Sequence, residues 1–230
     1  MNFFKNYPQV LDCYSTKQAG DMNWRAENVE ALKRRGKFLQ TQQVALENLV
    51  TAGLVHGDKI AIVSAKDAGK IMPDTDALIT RDKNVFLSVT FADCLPIFYF
   101  VPEYNIVGLA HAGWRGAAKN LSSKMLQVLS QEFQVKTSEI LLGIGPHICQ
   151  RHYQVGAEVV QAFGEYSEAL DNSYLDLEQV VKTQLLEAGL PAANISTSNL
   201  CTFERDDLFF SYRRDKSQDL QIMLAVIGLR

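Results

Sequence analysis

No stretch of the sequence stays apolar for the length of a bilayer span. The opening residues, Met1-Asn-Phe-Phe-Lys-Asn-Tyr-Pro8, turn polar before a signal-peptide core could form. A cytoplasmic protein with no membrane contact is therefore expected. Basic residues are not in excess: 23 Lys and Arg against 26 Asp and Glu leave a formal net charge of −3. Nucleic-acid binders neutralise phosphates with a basic surface, and the clusters Lys33-Arg34-Arg35 and Arg213-Arg214 are too short to supply one, so no nucleic-acid partner is expected. The four cysteines, Cys13, Cys94, Cys149 and Cys201, lie far apart with no CxxC pair, which argues against a disulfide framework and for reduced thiols. Cys13 and Cys149 read as small buried hydrophobes. There is no Pro/Gly/Ser-rich linker, charge block, internal repeat or low-complexity tract. The 230 residues are thus expected to form one domain spanning 1–230.

What is present is an ordinary globular mixture, 47% hydrophobic and 21% charged, sufficient for a sizeable core. Short apolar and β-branched runs predict strands at 60–63, 86–91, 97–101, 106–110, 140–144, 208–212 and 222–227. The Pro102-Glu-Tyr-Asn105 turn predicts that the third and fourth of these form a hairpin. Apolar residues three and four apart predict one long or two short helices over 28–54, and helices over 117–133, 157–163 and 175–188. Strand clusters interspersed with helices, without strict alternation, define a mixed α/β (α+β) class.

Two runs carry chemistry. Phe91-Ala-Asp-Cys-Leu-Pro-Ile97 places Cys94 at a strand end, and Leu109-Ala-His-Ala-Gly-Trp-Arg-Gly116 places His111 at a strand end and Arg115 at the start of a helix. One hairpin separates them, so both side chains can return to the same end of a sheet. A neighbouring imidazole or a metal lowers a thiol's pKa, and a thiolate is both nucleophile and ligand. The pair therefore supports either a Cys–His hydrolytic dyad or two legs of a metal site. A catalytic zinc needs three protein ligands and an open position, and His56, in Leu54-Val-His-Gly57 before a strand, is the best third ligand. His147 and His152 read as surface imidazoles.

The order of His56-Gly57, Asp76-Ala-Leu-Ile-Thr80, Ala92-Asp-Cys-Leu-Pro-Ile97, His111-Ala-Gly-Trp-Arg-Gly116, Gly145-Pro146, Tyr153-Gln-Val-Gly156, Cys201-Thr202 and Phe210-Ser-Tyr-Arg-Arg-Asp215 resembles the laccase-domain family. That family was named multicopper polyphenol oxidase and is associated with purine nucleoside phosphorylase and adenosine deaminase activity; some members are called peptidoglycan editing factors. The resemblance runs from about Val55 to the C-terminus and departs at Leu54, where the family carries glutamine. It implies β-sheets packed between helices, and it implies that His56, Cys94 and His111 bind a metal, zinc being expected and copper possible. Purine nucleoside and phosphate are the implied partners. Cys94, His111 and Arg115 are the implied catalytic residues, with Arg115 anchoring phosphate and Arg213 or Arg214 assisting. Trp114 and the Phe209-Phe210 pair are candidates for a base-stacking pocket.

Three other readings stay open: a metal-free Cys94–His111 amide hydrolase acting on peptidoglycan fragments, a copper-dependent phenol oxidase, and an inactive binding protein. A multicopper oxidase needs many imidazoles for its oxygen-reducing cluster, and the sequence holds four histidines.

Overall fold

In the computed structural model, which describes residues 2–23, 29–216 and 220–230, the apolar runs become central strands. The strands are β1 (Val10–Tyr14), β2 (Leu49–Gly53), β3 (Ile60–Ile62), β4 (Ile71–Pro73), β5 (Ala77–Thr80), β6 (Phe86–Phe91), β7 (Leu95–Val101), β8 (Ile106–Ala112), β9 (Leu141–Ile144), the short β10 (Leu170–Asp171) and β11 (Tyr174–Leu175), β12 (Ile195–Thr197) and β13 (Met223–Leu229). The helices are α1 (Val29–Thr41), α2 (Trp114–Ala118), α3 (Leu121–Phe133), α4 (Ala157–Ala162), α5 (Leu177–Glu187) and α6 (Tyr212–Asp215). One mixed sheet has the order β1-β13-β6-β2-β4 and a second β12-β9-β7-β8-β5-β3, with β10 and β11 forming a separate ribbon.

Side-chain alternation assigns each face. Leu95, Ile97, Tyr99 and Val101 of β7 pack against Leu121, Met125, Val180 and Leu185 of α3 and α5, while Phe98 and Phe100 face Leu87, Val89, Ala225 and Ile227 of the other sheet. The outer face of that other sheet, through Leu49, Phe86, Leu224 and Val226, covers Leu39 of α1. The layers thus run helix, sheet, sheet, helices, as expected from sheets packed between helices. A strand buried on both faces must be apolar throughout, which is why β7 and β8 read as unbroken runs. Helix α5 buries Leu177, Val180, Val181, Gln184 and Leu185, a stripe of helical spacing, and the Asp176 carboxylate caps it by accepting the Gln179 amide at 2.9 Å. Among the described residues no helix is long and apolar enough to cross a membrane.

Four expectations are corrected. The helical pattern over 28–54 holds only for α1, position 28 lying outside the described residues; Leu49–Gly53 is a strand buried at every position, so it has no alternation to distinguish it from a helix. The helix over 117–133 is two, α2 and α3, broken where Asn120 adopts a left-handed φ of 58°. Residues 208–212 form no strand. Their amides are taken outside any ladder, Phe209 donating to Arg205 O, Phe210 to Met223 Sδ and Ser211 to Asp215 Oδ2. His147 is buried rather than on the surface, with Nδ1 2.9 Å from Gly145 O and Nε2 3.1 Å from the Glu178 carboxylate. No apolar run in the sequence predicts strands β1, β4, β5, β10, β11 or β12; all but β1 are four residues long or shorter.

Candidate metal centre

The hairpin of β7 and β8 sets the first two donors. Its antiparallel register pairs Leu95 with Ala112 and Pro96 with His111, so Cys94, one residue before β7, arrives beside His111 at the end of β8. Next to β8 lies β5, with Ala77 opposite Ala110, and this pairing delivers Asp76. The His111 amide donates to Asp76 O at 2.8 Å, and the Asp76 carboxylate lies 3.3 Å from His111 Nδ1. Engaging Nδ1 leaves Nε2 as the ring's ligand atom. The same carboxylate accepts the amides of His56 at 2.9 Å, Gly57 at 2.7 Å and Val55 at 3.3 Å. It thereby pins the turn in which His56 takes a left-handed φ of 58°.

Each of His56, Cys94 and His111 contributes a ligand atom, and these atoms all lie within 4.8 Å of one another. The imidazoles meet edge to face, their centroids 4.9 Å apart at 82°. Gly113 makes room for the cluster, since a Cβ there would stand 3.0 Å from Cys94 Sγ and 3.2 Å from the His56 ring. At Gly116 a Cβ would stand 3.0 Å from Gly57 O, which lets α2 close onto the His56 turn.

Burial by itself pushes the Cys94 thiol up, but the charge and hydrogen bond of His111, with His56 behind them, override it and bring the thiol down to about 6. Burial likewise lowers His111, and the facing Cys94 sulfur and Asp76 carboxylate outweigh it, raising the imidazole to about 9. Asp76 is held below the usual carboxylate range: burial raises it, and the His111 bond and the amides of the His56 turn lower it further. The cluster thus favours a thiolate at neutral pH, the form a thiol must take to bind a metal.

Asp93, with a φ of 88°, ties the Cys94 turn to three loops. Its carboxylate accepts Thr202 Oγ1 at 2.6 Å, Ser211 Oγ at 3.1 Å and the Arg213 amide at 2.7 Å, and its carbonyl accepts the Ile148 amide at 3.0 Å. Above the cluster opens a cleft of about 930 Å³ whose walls include Leu54, Trp114, Arg115, Tyr153, Tyr212 and Arg213. The volume suits a small molecule. The Arg115 guanidinium lies 4.3 Å over the Trp114 ring and that of Arg213 5.3 Å from the Tyr153 ring. Arg214 is committed elsewhere, its guanidinium donating to the carbonyls of Thr202, Phe203 and Phe209. Phe209 and Phe210 pack between the sheets, not along the cleft. With five residues, α2 offers too short a peptide array for a strong N-terminal field.

In the sequence Asp76 and Asp93 stand out only as members of motifs. Their signal in the sequence was slight, an acidic residue directly before a buried strand and another directly before a cysteine.

Two sheets between helices, with two imidazoles and a thiol gathered beneath a cleft of small-molecule size, define a class of metal-competent cleft protein. The chain belongs to the family described as multi-copper polyphenol oxidoreductase laccase, whose model matches residues 14–230. It is 28% identical over 253 residues to a purine nucleoside phosphorylase, YlmD, of Bacillus subtilis, covering 98% of this chain and 91% of that protein. It is 30% identical over 188 residues to adenosine deaminase RL5 of an unknown prokaryotic organism, covering 74% of this chain and 71% of that protein. The fold matches the crystal structure of hypothetical protein YfiH of Bacillus licheniformis with a TM-score of 0.92 at 28% identity, over 96% of this chain and 93% of that one.

Proposed function

We propose that the protein is a metal-dependent purine nucleoside phosphorylase whose metal is held by His56, Cys94 and His111. The observation that carries this reading is the meeting, in one cleft, of that donor cluster with the guanidinium groups of Arg115 and Arg213. The donors fit the group. Two imidazoles and a thiol drawn down to about 6 suit zinc, and three protein ligands leave a coordination position open. Copper accepts the same donor types. Zinc bound there supplies a fixed positive charge beside the substrate.

The remaining work belongs to the chain's own residues. Arg115, which has no ion pair among the described residues, grips phosphate through the paired N–H groups of its guanidinium, and Arg213, which lines the same cleft, supports it. Trp114 and Tyr153 give the cleft aromatic surface for the purine. Hydrogen phosphate, oriented by the arginines, forms a bond from oxygen to the anomeric carbon as the glycosidic C–N bond breaks. The electron pair and the phosphate's proton pass to the purine nitrogen, giving free base and ribose 1-phosphate. The naming of the Bacillus subtilis relative supports this reaction.

The name of the RL5 relative supports a second activity at the same site, hydrolytic release of ammonia from adenosine. One incubation separates the two: adenine and ribose 1-phosphate that appear only with phosphate mark phosphorolysis, whereas inosine and ammonia that appear without it mark deamination. Phosphorolysis is expected, and no product from any purine nucleoside would reject the reading. Dialysis against a chelator is expected to abolish turnover and added zinc to restore it. Metal-free protein that stays active and is silenced by a thiol alkylator would instead make Cys94 the nucleophile and His111 its base.

A further inference from the structure

We propose a second metal site, for a thiophilic divalent cation of the zinc type, formed by Cys149, Cys201 and Glu204 outside the cleft. Their ligand atoms all lie within 4.8 Å of one another, as do those of the cleft cluster. Two elements supply them. Cys201 and Glu204 share one turn, closed by the Arg205 amide donating to Cys201 O at 3.0 Å. Cys149 follows β9 on a neighbouring segment, held by an isolated bridge between His147 and Cys201 in which the His147 amide donates to Leu200 O and the Thr202 amide to His147 O.

Details of the cluster suit an ion. The Cys149 amide donates to Cys201 Sγ at 3.3 Å, the kind of outer bond that steadies a metal-bound thiolate. Cys149 Sγ, Arg151 and His152 all contact Glu204 at Oε1, which leaves Oε2 with no bond among the described residues. The His152 ring stacks on Phe203, centroids 4.2 Å apart at 10°, so its Nε2 holds the carboxylate in place from a fixed plane. Two sulfurs and a carboxylate are zinc donors, and the third carries solvent exposure through which an ion can enter.

An ion here would clamp the two segments that hold Asp93. Ile148 donates its amide to Asp93 O and Thr202 its hydroxyl to Asp93 Oδ1, and Asp93 precedes Cys94. The site would act on the cleft as a brace, without touching substrate.

The test is a cobalt(II) titration of the metal-free, thiol-reduced full chain, read by thiolate-to-metal absorption. Wild type is expected to take up two equivalents. Cys149→Ser should lose one of them and most of the absorption, since two of the three ligating thiolates belong to this site. Glu204→Gln, a change at an exposed side chain, should weaken one equivalent by at least about tenfold while folding normally. Cys94→Ser should lose only the other equivalent. Identical titrations of wild type, Cys149→Ser and Glu204→Gln would overturn the proposal, as would uptake of a single equivalent that disappears with Cys94→Ser. None of these readouts depends on nucleoside turnover.

Discussion

Asp76 holds more of the cleft cluster than any ligand does, because one carboxylate fixes both the ring of His111 and the backbone of His56. Asp76→Ala is therefore expected to lower zinc affinity at the cleft by about 10- to 100-fold, measured by competition with a chromophoric chelator in a Cys149→Ser background. Asp76→Asn should fall between, keeping a hydrogen-bond acceptor for the ring and losing the charge. Glu178 gives a second prediction at this scale. Burial raises its carboxyl, but the His147 bond and charge, then Lys182, overcome that and hold it at about 2 against an ordinary 4.5. A depressed carboxyl stabilises the fold fully above its unfolded value, and this stabilisation disappears as pH falls from 4.5 towards 2. The shift corresponds to about 3 kcal/mol. Denaturant melts between pH 6 and pH 3 should show wild type losing stability more steeply than Glu178→Gln; parallel losses would contradict the assignment.

Among the elements, the β7–β8 hairpin was the part most legible in the sequence. Its two apolar runs and the Pro102–Asn105 turn gave the strands, the pairing and the return of Cys94 to His111. Strand β2 was illegible because burial on both faces removes the period that tells strand from helix. The roles of Asp76 and Asp93 were illegible because they come from strand pairing and from loops far away in sequence, as in the bond from Thr202 to Asp93. Phe209 and Phe210 read as strand because they are apolar, and their burial comes from packing between sheets. The junction of β8 and α2 carries its own prediction. Gly113→Ala would press a methyl group against Cys94 Sγ and the His56 ring, so it should cut metal affinity and turnover while leaving the melting temperature nearly unchanged. A large loss of thermal stability would mean that Gly113 serves the fold more than the site.

At the scale of the whole molecule, the cleft depends on two sheets held face to face by aromatic packing. Phe98 is fully buried, and Phe3 stands against it with ring centroids 5.5 Å apart. Phe98→Ala leaves a cavity between the sheets and should destabilise the protein by about 3–5 kcal/mol, readable as a lower denaturant midpoint with little change in slope. Because the change is in the core, surviving folded protein should keep its metal stoichiometry.

The hairpin register also makes a distant turn a determinant of chemistry. Pro102–Asn105 reaches solvent at the far end of strands seven residues long, about 20 Å from Cys94 along the chain. Removing one residue there and re-pairing the strands by one position would rotate His111 to the opposite face, towards the helices, and bring Ala110 or Ala112 to the cluster. A single-codon deletion in an exposed loop would then behave as an active-site lesion, with every ligand still encoded and one of them facing the wrong way.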